Sequence, residues 1–222
     1  MQGSITGSGP YTAAMQSRIL ERLEQAGVAV SEAEAAKLAE YLALLQQWNK
    51  VYNLTGISDY GELIQRYLVE SLAFRPYLKG ERIADIGSGA GLPGIPLSIT
   101  TPAVEFSLVE SRGKRARFLR HVQGSLGLGN VSVEHLRAED LSVERCFDTV
   151  LARAVAPPAE LIELTRHLMA DDGILLVLTK ASFENEICSL GPGPQVRCIK
   201  DAVTSTFVGS LVRVENAESE LR

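Results

Sequence analysis

A carboxylate followed by three glycines at alternate positions stands at Asp85-Ile86-Gly87-Ser88-Gly89-Ala90-Gly91. The run follows the apolar pair Ile83-Ala84 and leads through Leu92, Pro93 and Gly94 into a segment that reads as a helix. Glycine tolerates positive φ and has no Cβ, so such a loop can turn tightly and bring its backbone against a flat, sugar-bearing ligand. The helix behind it offers free N–H groups and a positive dipole end, which suit an anionic group. A nucleotide-like ligand is therefore expected at the carboxyl end of a first parallel strand. Its candidate contacts are Asp85, Gly87, Gly89, Gly91 and Leu92.

Spacing then separates two ligand classes. The dinucleotide fingerprint G-x-G-x-x-G needs a glycine at position 92, which is leucine, and the third glycine comes one residue early as Gly91. That counts against a nicotinamide-dependent oxidoreductase. The pattern D-x-G-x-G-x-G resembles the loop of Rossmann-like S-adenosylmethionine methyltransferases. Glu110 ends the second expected strand, where a bidentate acceptor can take both ribose hydroxyls. It could equally pair with Arg112 or Lys114. Ala138-Glu139-Asp140 follows the third strand and can reach an adenine edge, although acids there also serve as helix caps. Arg153 lies just past the fourth strand. An arginine there can hold a cofactor carboxylate, an RNA phosphate or a guanine O6, or can pair with an acid on the rim.

The chain has 222 residues, 45% of them hydrophobic and 22% charged, as in a soluble globular protein. No apolar run approaches the roughly 18 residues of a membrane helix, and no export-like N-terminus is visible. A cytoplasmic protein without membrane association is expected. Cys146, Cys188 and Cys198 are scattered and form no C-x-x-C pair, so neither a disulfide frame nor a metal site is indicated. His121, His135 and His167 share no spacing and read as structural. The net charge is −5, yet Arg112, Lys114, Arg115, Arg117 and Arg120 follow one another with no acid between them. Such a run is either a nucleic-acid contact or a solvated helix face.

The elements that must position these groups alternate from Glu81 onward. Strands are expected at Arg82–Ile86, Val104–Glu110, Val131–His135, Phe147–Leu151, Ile174–Thr179, Gln195–Ile199 and Phe207–Val214. Helices fit at Pro93–Thr100, Gly113–Leu126, Ala138–Leu141 and Ala159–Ala170. Alternating βα units imply a mainly parallel, seven-stranded α/β sheet with right-handed crossovers. The first third reads as helical, with a helix at Ala13–Ala26, a second after the capping-box pattern Ser31-Glu32-Ala33-Glu34, and a third capped by Asp59. The expected organisation is a disordered tail at 1–12, a helical extension at 13–76, a Rossmann-like domain at 77–216 and a tail at 217–222.

Beyond the loop, the chain resembles the small-subunit ribosomal RNA methyltransferase G family, also called glucose-inhibited division protein B. The resemblance runs from about Leu38 to Lys180. It rests on Trp48-Asn49-Lys50-Val51-Tyr52-Asn53-Leu54-Thr55, on Asp85 to Pro96, on Glu110-Ser111 with Lys114-Arg115 and Phe118-Leu119, and on Arg137-Ala138-Glu139, Phe147-Asp148, Arg153-Ala154 and Lys180. It implies N7 methylation of a guanine in the decoding-region loop of 16S ribosomal RNA, with S-adenosylmethionine as donor and no metal. It also implies cofactor contacts at Gly87, Leu92, Ala138, Glu139 and Arg153, to which strand-two logic adds Glu110. Arg153 is the residue expected to act at the reacting centre, by fixing cofactor or guanine, not as acid or base. RNA contacts are expected at Asn49, Lys50, Asn53, Lys114, Arg115, Arg117 and Lys180. The partner is ribosomal RNA or the small subunit, and the protein itself is expected to be a monomer. Two positions depart from the family pattern, which has His and Asp where this chain has Tyr67 and Glu70, and Ala181 replaces a usual glycine. A small-molecule methyltransferase and a non-enzymatic ribosome-assembly factor are the competing readings.

Overall fold

The structure, a computed structural model, describes residues 10–153, 158–180, 195–199, 204 and 209–215. Seven strands form one sheet in the order β3-β2-β1-β4-β5-β7-β6. They are β1 (Arg82–Ile86), β2 (Glu105–Val109), β3 (Val131–Glu134), β4 (Phe147–Arg153), β5 (Met169–Lys180), β6 (Gln195–Ile199) and β7 (Gly209–Glu215). The first five run parallel, and β7 pairs antiparallel with both β5 and β6. The chain winds outward from β1 to β2 and β3, then crosses to β4 on the other side. The crevice at the carboxyl ends of β1 and β4 is thus the switch point where ligands bind in such sheets.

The unbroken apolar run Ile174-Leu175-Leu176-Val177-Leu178 is explained by cover on both faces. Ile174, Leu176 and Leu178 enter one core with the N-terminal helices, while Leu175 and Val177 enter another with Leu161 of α7 (Pro158–Thr165). The first core is shared. Leu38, Leu42 and Leu45 of α2 (Glu32–Tyr52) are buried with Leu97 of α5 (Gly94–Thr100) and with Phe118 and Leu119 of α6 (Gly113–Leu126). The expected N-terminal extension therefore packs directly on the helices that frame the glycine loop. Ser31 caps α2 through the anticipated reciprocal bonds with Glu34.

Several expectations shift. Helix α1 spans Pro10–Gln25 and starts three residues before its expected beginning, inside the anticipated tail; residues 1–9 and 216–222 lie outside the described residues. The segment Ala138–Asp140 is a single 3-10 turn. The expected helix Ala159–Ala170 ends at Thr165, because β5 already begins at Met169. Between the pairs Phe147↔Met169 and Thr149↔Ile174 the ladder is irregular, and a Cβ on Gly173 would meet the Phe147 carbonyl at 2.8 Å. That glycine lets the strand bulge, and the Asp171-Asp172-Gly173 turn signal hid the strand that surrounds it. The helix capped by Asp59 is not uniform. It runs as α3 (Tyr60–Leu63), a π-helical stretch Ile64–Val69 and α4 (Glu70–Leu72).

Candidate functional site

The glycine loop is fixed from three sides. Below it, Gly87 and Ser88 donate their N–H groups to the Val109 carbonyl at the end of β2 (2.8 and 3.2 Å). From α2, the buried Tyr41 hydroxyl donates to the Ala90 carbonyl at 2.8 Å. Burial pushes the Tyr41 phenol well above the usual tyrosine range, so it stays a donor. Just past the end of β2, Glu110 accepts the Gly89 N–H on Oε2 at 2.9 Å and the Arg112 N–H on Oε1 at 2.7 Å. Arg115 of α6 approaches the same Oε2 at 3.8 Å. Glu110 thus ties loop, strand and basic helix together, and it is 4% exposed.

The glycines have different reasons. Gly87, Gly89 and Gly91 all have positive φ (69°, 59° and 93°). At Gly91 a Cβ would lie 2.5 Å from Ile95, so this residue permits the helix to pack. Gly94 is equally crowded, with Leu108 at 2.3 Å and Asp85 Oδ2 at 2.7 Å. At Gly89 a Cβ would meet its nearest atoms, Arg115 Nη1 and the Gly87 carbonyl oxygen, at an ordinary contact distance of 3.7 Å, so this position of the loop is uncrowded and can serve as a cradle.

Asp85 lies beneath the cradle, fully buried. Its Oδ2 accepts the Gly94 N–H at 3.0 Å, while Oδ1 meets no hydrogen-bond partner among the described residues. Burial pushes this carboxyl up to about 7, against the Gly94 N–H, Ser88 and the Arg153 charge, with Glu110 adding repulsion. The sign of the consequence is fixed. The folded state holds the Asp85 proton more tightly than the unfolded chain does, so the contribution is fully present below about pH 4 and is lost as pH rises to about 7. The unfolding free energy of the wild type relative to Asp85→Asn should therefore fall across that window and level off above it. Denaturant titrations at several pH values measure this difference, and a flat difference would refute the assignment.

Arg153 is the last residue of β4, not the first beyond it. Its Nη2 donates to Glu70 Oε2 at 2.7 Å and its Nη1 to the Arg66 carbonyl at 2.8 Å. Its guanidinium also lies 5.7 Å from the Tyr67 ring centroid. The rim acid, one of the partners open to it from sequence, is the one found. The π stretch has a part in this. The Glu70 N–H bonds to the Gln65 carbonyl, five residues back, and the Arg66 carbonyl accepts from Arg153. Burial pushes the Glu70 carboxyl up, opposed by Arg153 and then Arg66. Tyr67 donates to the Thr55 hydroxyl. The two departures from the family pattern, Tyr67 and Glu70, are thus the residues that surround Arg153.

The other expected residues divide. Leu92 and Ala138 are buried, whereas Glu139 is exposed on its 3-10 turn. Lys50, Lys114 and Arg117 are exposed, but Arg115 turns toward Glu110. The Asn49 side-chain oxygen accepts the Thr55 N–H at 2.8 Å and builds the turn after α2. Asn53 caps that helix in the left-handed region (φ 50°). The two asparagines of the W-N-x-x-x-N-L-T segment are accordingly explained by chain reversal. Lys180 pairs through its backbone with Gly209, and its side chain lies outside the described residues. His121 stacks on Trp48 at 5.3 Å, and His135 bonds the Ser111 carbonyl. Cys146 is a free thiol, and Cys188 lies outside the described residues. Tyr41 escaped notice because it falls on the apolar face of α2, where it reads as core. Among the described residues no cluster of His, Cys, Asp and Glu could hold a metal, and no helix is long and apolar enough to cross a membrane.

The family model for GidB, rRNA small subunit methyltransferase G, matches residues 34–214. A ribosomal RNA small subunit methyltransferase G from Stenotrophomonas maltophilia is 44% identical over 177 residues, covering 79% of this chain and 84% of that protein. One of the same name from Shigella flexneri is 40% identical over 177 residues, covering 80% and 86%. Among solved structures, a methyltransferase from Geobacter sulfurreducens superposes with a TM-score of 0.58 at 15% identity, over 90% of this chain and 96% of that one. That last likeness concerns the fold alone.

Proposed function

The chain belongs to the rRNA small subunit methyltransferase G family, and from that premise we propose that it methylates N7 of a guanine in the decoding-region loop of 16S ribosomal RNA. The observation that carries the reading is the uncrowded cradle at Gly89, held by Glu110 and beside the basic helix α6, whose Lys114 and Arg117 are exposed. S-adenosylmethionine, when bound there, supplies a methyl group activated on a sulfonium. The residues present fit such a donor: a glycine loop with room above Gly89, a carboxylate at the end of β2, and the unpartnered Oδ1 of a buried Asp85.

Guanine N7 presents a lone pair in the plane of the base and carries no proton, so the reaction asks for no general base. The task of the protein is to align N7 with the methyl group, an effect of proximity and orientation. Positive charge passes from sulfur to the base and is not created. A free cation beside N7 would oppose that transfer. Arg153 is neutralised by Glu70, which supports a positioning task for it. Glu110 holds Gly89 and the start of α6 in one register, so loop and basic helix cannot drift apart. Lys114 and Arg117 offer charge to phosphates, which yields affinity that falls with salt. Sequence would be recognised through an unstacked guanine and the shape of its loop.

Labelled methyl transfer to small subunits and their RNA, prepared from cells lacking this protein, tests the reading. One N7-methylguanine in the decoding-region loop is expected. Label on a metabolite but not on RNA would favour the small-molecule reading, and ribosome binding without transfer the assembly factor. Lys114→Glu combined with Arg117→Glu should weaken RNA binding about tenfold or more at low salt, since each lost phosphate contact also lowers the salt slope by about one. Affinity for S-adenosylmethionine should stay within about twofold by calorimetry, because neither side chain lies at the cradle. Parallel losses of both affinities would contradict the division between the two surfaces.

A further inference from the structure

At the carboxyl end of α2 two large apolar side chains face solvent: Val51, 71% exposed, and Tyr52, 37% exposed. A lone exposed apolar residue needs no explanation, but Tyr52 is unusual in how it is held. Its ring packs on Trp48 with centroids 5.2 Å apart. Trp48 packs in turn on Phe118 and His121 of α6, at 5.6 and 5.3 Å. The turn built by Asn49, Asn53 and Thr55 fixes the chain directly behind the ring. One cation stands at the ring: the Lys114 Nζ lies 5.9 Å from the Tyr52 ring centroid, and Arg117, exposed, follows one turn further along α6. Lys114 is followed by Arg115, which reaches Glu110 and so the edge of the cradle.

We propose that Tyr52 is a stacking platform for an unpaired base next to the methylated guanine, with Lys114 taking a phosphate beside it. The proposal rests on the RNA substrate of the preceding reading and specifies where the strand lies. A rigid aromatic ring beside flexible cations is the combination that single-stranded nucleic acid uses: the ring takes any base face, and the cations track the backbone. Because Trp48 and the turn hold the ring, little side-chain freedom is lost when a base settles on it. Charge complementarity selects RNA over a protein partner, since Lys114 lies at the ring and the exposed Arg117 and Arg120 follow it on α6. The first turn of α6 links platform and cradle, so a base stacked on Tyr52 would hold its neighbour at the methyl donor.

The experiment uses the full chain, an RNA fragment spanning the decoding-region loop, and small subunits from cells lacking the protein. Tyr52→Ala should raise KM for RNA about tenfold, as loss of one base stack does, while affinity for S-adenosylmethionine stays unchanged and reports an intact fold. Tyr52→Phe, which keeps the ring, should stay within about twofold of wild type. The salt slope of RNA binding should be unaltered in Tyr52→Ala and lowered by about one in Lys114→Ala. Trp48 is the sole tryptophan of the chain, so its fluorescence should respond to RNA in the wild type and lose most of that response in Tyr52→Ala. A wild-type KM in Tyr52→Ala overturns the proposal, as does a Tyr52→Phe protein equally impaired. A loss confined to assembled subunits, with naked RNA bound normally, would assign the patch to a ribosomal protein and overturn it too. Should the wild type itself transfer no methyl group to subunit RNA, the functional reading fails; should it transfer normally with Tyr52→Ala its equal, the platform alone fails.

Discussion

Gly89→Trp should fold and lose its affinity for S-adenosylmethionine by at least about a hundredfold, and methyl transfer with it. The argument is one of space. A Cβ built on Gly89 touches nothing closer than 3.7 Å, so an added side chain collides with no neighbouring core and instead occupies the cradle. The backbone cost is that of an L-residue at φ 59°, roughly 1–2 kcal/mol. For a chain of this length that amounts to a fall in Tm of about 2–8 °C. The glycine five residues on behaves differently. At Gly94 even alanine would bring a Cβ to 2.3 Å from Leu108 and 2.7 Å from the buried Asp85 carboxylate, so structure gives way before binding is at issue. Calorimetric titration and a thermal melt on the same Gly89→Trp sample separate the two effects. Tight binding with the indole in place would mean that the ligand lies elsewhere.

How far this arrangement can be read from residues alone follows from which forces act locally. The strand β1 and the helix α6 match their expected spans, because alternation, an apolar run and a terminating Gly127 are signals within a few residues of each other. The loop was legible for the same reason: positive φ at alternate positions demands glycine wherever it occurs. Glu110 was found as a strand-end acid, but its grip on the Gly89 and Arg112 N–H groups depends on β2 lying beside β1, which no local pattern states. The structural part of Asn49 and Asn53 was hidden, because the bond from the Thr55 N–H to the Asn49 side chain and the left-handed cap at Asn53 belong to a turn that no local pattern states. The π stretch gave no signal at all. Ile64 to Val69 has ordinary helical composition, and its altered bonding is tied to a contact with Arg153, eighty-seven residues on from Arg66.

Arg153→Ala should cost about 3–5 kcal/mol of stability near pH 8 and measurably less near pH 5. The side chain is 16% exposed and Glu70 is 6% exposed, so removal of the arginine leaves a carboxylate in a place where water reaches it poorly. Burial already pushes the Glu70 carboxyl above its ordinary range with Arg153 present, and loss of that cation pushes it further. A carboxyl whose folded affinity for a proton exceeds its unfolded affinity stabilises the fold at low pH and loses that contribution as pH rises through its folded value. The variant can therefore relieve the buried charge by taking up a proton in mild acid and cannot do so in mild base. Glu70→Ala has no such escape, because arginine does not release its proton, and its loss should vary much less with pH. Replacing both residues together, as Glu70→Leu with Arg153→Met, should recover most of the stability, since a buried pair is costly chiefly when one member is left alone. Turnover should stay low in that double variant if Arg153 orients cofactor or guanine, and return with stability if the pair only braces the π turn. Urea unfolding at pH 5 and pH 8 across the four proteins decides the matter. A loss for Arg153→Ala that is equal at both values would show that Glu70 finds another partner once the arginine is gone.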